Sequence, residues 1–175
     1  MRNKYYEYFI IFFAIFVIFQ TITGTMMFFT KIGYKPSMWF EYYYGSEAML
    51  KYFPEEKDHF KEALTFTGRL KVLYSHSLAY GILIFTLTHL IRSININPIV
   101  KNKIDFLIIL FYIIALLEIV SDILLTLIKS NQLIFLYIRF IIFIVFIIFM
   151  LFHSFLLIFL TWKQIRLYNN EMQNM

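Results

Sequence analysis

The sequence predicts an all-α integral membrane protein, a four-helix bundle with an extramembrane loop of roughly 40 residues between helices 1 and 2. Three observations predict it. The 175 residues are 61% hydrophobic, 21% aromatic and only 15% charged, more apolar surface than a soluble domain of this length can hide. Four apolar runs reach about 20 residues or more, the length that crosses a bilayer. The short alternating segments of a transmembrane barrel, the other way to satisfy a backbone in lipid, are missing. The whole chain, 1–175, reads as a single membrane domain.

The first span covers about 6–29. Its apolar stretch is too long for a signal peptide and no small-x-small site follows, so it reads as a retained anchor. The 30–69 segment comes next. Its "MWFEYYY" cluster suits the headgroup level, where Trp and Tyr are favoured. Ser46 is placed to cap one short helix there, and Pro54 with Glu55 and Glu56 reads as the start of another. The second span covers 70–91, and the short basic link "RSININPIVKNK" leads to the third, 104–128. Only "KSN", Lys129 to Asn131, separates it from the fourth, 132–162, which forces an antiparallel hairpin.

Four spans put both termini on one side. The termini and the 92–103 link carry seven Lys or Arg; the opposite side carries eight, diluted by six acids. The positive-inside rule favours cytoplasmic termini. The expected location is a bacterial inner (cytoplasmic) membrane. The chain has no cysteine, so disulfides and thiolate sites are excluded, and the +5 charge forms no basic aromatic surface suited to nucleic acid. No catalytic motif, phosphate loop or zinc motif is present.

Ionisable groups inside a membrane are costly, so each is a candidate site. Here they are His76, His89, Glu118, Asp122, Arg139 and His153. Counting about 1.5 Å per residue from the 30–69 side, His76, Asp122 and Arg139 lie about 10 Å deep. By the same rise His89 and His153 lie about 30 Å deep, with Glu118 near the middle. Asp122 and Arg139 stand at matching depth on the two arms of the hairpin and predict a structural ion pair. Glu118 and Asp122, four apart, share a helix face and can handle protons. His89 and His153 come from different helices at one depth, the arrangement that holds a haem between two axial nitrogens. Alternatively, each histidine bonds a carbonyl or a neighbouring Ser75, Ser77, Thr86, Thr88 or Ser154.

His76 and His89 are thirteen positions apart, about 140° around the helix, so they do not face one partner unless the span bends near Gly81. The double-haem stack of cytochromes b uses a step of about fourteen. In "EEKDHFKE", Glu56, His59 and Glu62 share a helix face, which suits either a metal or, more simply, a solvated charged helix.

Residues 43–93 resemble a group of small four-span bacterial membrane proteins. The matching features are Tyr44, Gly45 and Glu47 of an aromatic-Gly-x-Glu motif, then His76 and the His89-Leu90 pair. Tyr74 departs from that pattern, standing where the first of two closely spaced histidines belongs. The histidine placement is similar to that of membrane cytochromes b.

These features together predict a membrane haem-b-binding electron-transfer protein. His89 and His153 serve as axial ligands, His76 as the ligand of an outer site, and Arg139 as the partner of a propionate or Asp122. Membrane lipid, quinone or a respiratory partner subunit are the expected partners. The rivals are a cofactor-free accessory or assembly subunit and a proton or ion path along Glu118 and Asp122.

Overall fold

In the computed structural model, residues 4–56, 61–63, 65–127 and 132–173 are described. They form α1 (Lys4–Ile32), α2 (Pro36–Tyr44), α3 (Ser46–Tyr52), α4 (Phe66–Ser93), α5 (Pro98–Leu127) and α6 (Gln132–Gln173), with no strand among the described residues. Helices α1, α4, α5 and α6 are the four long enough and apolar enough to cross a membrane. The chain is a multi-pass all-α membrane bundle, as its apolar runs predict. Helices α1 and α4 extend a few residues beyond both expected bounds, and α5 begins six residues before its expected start. The largest overrun is α6, whose 42 residues measure about 63 Å and carry the polar end of the helix well past a hydrocarbon core of about 30 Å.

A spanning helix must satisfy every polar group internally. The threonines of α1 do so by bonding back one turn: Thr21 Oγ1 donates to the Val17 carbonyl at 2.7 Å and Thr25 Oγ1 to that of Thr21 at 2.7 Å. Helix α4 opens with Thr65, whose hydroxyl accepts from the Gly68 N–H at 3.1 Å, and runs unbroken through Gly81. Phe12, Phe16, Phe19, Ile82 and Phe85 point outward, an apolar exterior matched to lipid rather than water.

Packing is uneven around the bundle. Helix α1 lies along α6, α6 along α5, and α4 against both α5 and α6; α1 and α4 barely meet. The core between them includes Val17, Leu87, Phe111 and Leu157, each 0% exposed.

A second core seals the opposite end. It packs Trp39, Phe40, Tyr43 and Met49 of α2 and α3 onto Leu125 and Leu136 of α5 and α6. Gly33, at φ 100°, closes α1 and lets the chain turn, and its carbonyl accepts from Trp39 Nε1 at 2.8 Å. The Trp39 ring stacks on Phe140 of α6 at 3.9 Å. The Tyr44 hydroxyl donates to the Leu125 carbonyl at 3.2 Å and fixes the cap to the end of α5.

Two details of the 30–69 segment differ from expectation. Proline opens a helix at Pro36, while Pro54 and Glu55 form a turn after α3. Ser46 is not a cap: Gly45 holds that position, and Ser46 Oγ instead donates to Glu41 Oε1 at 2.9 Å and accepts from Lys61 N at 2.7 Å. His59, with the metal reading built on it, and the "KSN" link lie outside the described residues.

Candidate functional site

Arg139 of α6 lies buried between two acids of α5. Its Nη1 donates to Glu118 Oε2 at 2.5 Å, and its Nε reaches Asp122 Oδ1 at 3.4 Å. The i, i+4 spacing sets both carboxylates on one helix face, and the long arginine arm spans the turn between them. The closer bond goes to Glu118, the deeper acid, rather than to Asp122, the expected partner. Matching helix depths compares Cα positions, whereas an arginine side chain reaches about one turn beyond its own Cα.

Against this cluster lies a small chamber of about 70 Å³, room for a few waters at most, lined by His76, Tyr43, Tyr80, Glu118, Asp122 and Arg139 among others. Its roof is α2. There the Arg69 guanidinium donates to the Tyr43 carbonyl and lies 5.6 Å from the centroids of both the Tyr43 and Tyr44 rings. Burial pushes the Tyr43 phenol up to about 12, against the opposing charge of Arg139. Burial likewise pushes Tyr44 up to about 12, against Arg69. Both hydroxyls therefore stay protonated and neutral in the physiological range.

Outward from the chamber, the gap between α1 and α4 forms a lateral cleft of about 750 Å³. Apolar walls come from Met27, Phe28, Ile32 and Val72; His76, Ser75 and Tyr42 add polar groups, and Lys31 and Lys71 stand at its rim. A second cavity of about 260 Å³ continues it toward the bundle centre past Thr21, Tyr80 and Met150. His76 and Phe28 line all three spaces. The gap follows from the sparse packing of α1 against α4. Gly24 borders both larger cavities, and a Cβ added there meets no atom within 4 Å.

The structure does not bring His89 and His153 together. His89 is exposed and stacks only on Phe85 of its own helix, with ring centroids 5.9 Å apart. At about 100° per residue it points about 140° away from Ile84, which marks the core face of α4. His153 is 0% exposed, stacks on Phe111 of α5 at 4.5 Å and bonds the Phe149 carbonyl through Nδ1 at 2.8 Å. Equal depth is not equal azimuth, so a haem cannot bridge these two without rotating a helix. His153 takes the backbone-bonded alternative. The difference predicts that His153→Ala costs about 2 kcal/mol of stability by opening a core cavity, while His89→Ala stays within about 0.5 kcal/mol. Thermal unfolding of the two purified variants in one detergent checks it.

A family model described as a transmembrane helical domain matches residues 33–167. No curated protein and no solved structure matches the chain.

Proposed function

Since the chain belongs to this transmembrane helical domain family, whose matched region holds the cap and three of the four spans, we propose that it binds an amphipathic molecule drawn sideways from the bilayer. The observation that carries this reading is the α1–α4 cleft, graded from cationic rim to a mostly apolar interior. Such gradation suits a ligand with a polar head and an apolar body. The buried Arg139 cluster behind it acts as scaffold, holding α5 to α6 while α4 stands apart from α1. The positive-inside balance favours cytoplasmic termini, an orientation that would turn the cleft rim toward the other face.

Reconstituted protein with a spin-labelled fatty chain tests the reading. The wild type should show a motionally restricted population beyond that of Gly24→Phe, which fills the cleft from α1 at a position with open space. Equal restricted fractions in the two proteins would rule cleft binding out.

A haem b held at the same cleft is the second reading, favoured by one observation: His76, unlike His89 and His153, lines the large cavity. Lys31 and Lys71 would face its propionates, and the chain would serve electron transfer. Red protein whose reduced absorption band is lost in His76→Ala supports it. Colourless, iron-free protein from haem-replete cells removes it and leaves the amphipath reading intact.

A further inference from the structure

We propose, resting on the amphipath reading, that the cleft selects an anionic phospholipid, with its phosphate held at the rim by Lys31 and Lys71. The argument starts from the charges. Lys31 closes the last turn of α1, and Lys71 lies one turn into α4, so both stand at the level where headgroups lie. Both are exposed and line the same cleft. Among the described residues Lys35 pairs with Glu56 at 3.5 Å, Arg92 with Asp105 at 3.0 Å, and Lys61 lies over the Tyr42 ring at 5.3 Å; Lys51, Lys101, Lys103, Lys163 and Arg166 make no ion pair there, but none of them lines this cleft. Among the described residues neither Lys31 nor Lys71 has an ion pair, and no described acidic side chain lines their cleft.

A single interfacial lysine needs no ligand, because it can snorkel to water. Two on the rim of one cleft, with no described acid lining it, make that rim positive, and a negative headgroup is favoured there. The groups beneath complete the match. The Tyr42 hydroxyl and the His76 ring make no hydrogen bond among the described residues and can bond phosphate or glycerol oxygens. Below them Met27, Phe28 and Val72 give way to the deeper cavity past Leu83, which suits an acyl chain. A neutral amphipath would fill the apolar part and leave both ammonium groups unused.

The test compares spin-labelled phosphatidylglycerol with spin-labelled phosphatidylcholine in reconstituted vesicles. The cleft population is the restricted signal present in wild type and absent in Gly24→Phe. Two juxtamembrane lysines should favour the anionic label by roughly twentyfold at low salt, losing about fivefold with each of Lys31→Gln and Lys71→Gln. Rising salt should erode the preference in the wild type, a readout that needs no variant. Lys31→Arg and Lys71→Arg should retain it. Equal cleft populations of the two labels, or a preference that survives the double Gln variant, would overturn the lipid selectivity while leaving amphipath binding standing. No cleft population with either label would overturn both.

Discussion

Arg139→Ala should destabilise the protein by about 3–5 kcal/mol, the largest single loss expected from the polar cluster. The guanidinium side chain is 10% exposed and its two acceptors, on Glu118 and Asp122, are 4% and 13% exposed. Removing it leaves two carboxylates four residues apart, buried and repelling one another, with the bond that joins α5 to α6 gone. Removing one acid is milder. Glu118→Ala should cost more than Asp122→Ala, because Glu118 makes the 2.5 Å contact and Asp122 the 3.4 Å one. The Glu118→Ala/Arg139→Ala double variant should cost less than the sum of its single changes, since neither partner is then left alone. Replacing all three by leucine should restore most of the loss, because apolar packing of similar volume is often no worse than a buried ionic network. Thermal unfolding in a single detergent measures the series. Strict additivity would mean that the groups do not interact, and a triple leucine variant as weak as Arg139→Ala would mean that the cluster does more than hold helices.

The spans were legible because their signal is length: an apolar run of about 20 residues has few alternatives to a membrane helix. Depth was legible for the same reason, since rise per residue is fixed, and it brought Asp122 and Arg139 into one layer. Azimuth was not. A soluble helix marks its core face with an apolar stripe, but α4 and α6 show no one-sided apolar stripe, so lipid face and core face look alike. That is why His89 and His153, equal in depth, read as a pair although one faces outward and the other inward. The cleft was equally hidden. It depends on α1 and α4 standing apart, which no short stretch of either helix records; Gly24 and Thr21 are visible only as small residues. The cap was half legible: its aromatics announced an interface, but proline and serine signals pointed to Pro54 and Ser46 where the chain uses Pro36 and Gly45. Pro36 was the overlooked signal, lying at the start of the same aromatic run.

Gly45→Val should cost about 3–4 kcal/mol and loosen the cap, although Gly45 touches neither the cleft nor the charged cluster. Two independent mechanisms add. The residue joins α2 to α3 at φ 85° and ψ 168°, a region that only glycine occupies without strain. A Cβ there would also stand 2.8 Å from the Ala63 nitrogen and 3.0 Å from the Lys61 carbonyl oxygen. Both are backbone atoms, and the neighbouring chain is held in place: Ser46 N donates to the Lys61 carbonyl at 2.8 Å, and Lys61 N donates to Ser46 Oγ at 2.7 Å. Relief by a side-chain shift is therefore closed off, and the 61–63 segment must move away. This gives a physical reason for the Tyr44-Gly45-x-Glu47 motif. Tyr44 ties the cap to Leu125, Gly45 makes the turn, and Glu47 sits in the first turn of α3, where an acid suits the positive helix end. The control is Gly81→Ala, at a helical glycine where an added Cβ meets nothing within 4 Å. It should leave stability unchanged or raise it by up to about 1 kcal/mol, as expected for Gly replaced by Ala in a helix. Thermal unfolding compares the two, and limited proteolysis should cut the cap of Gly45→Val faster while sparing the spans. Equal stability of Gly45→Val and wild type would show that the 61–63 segment gives way, and that the glycine is not what shapes the turn.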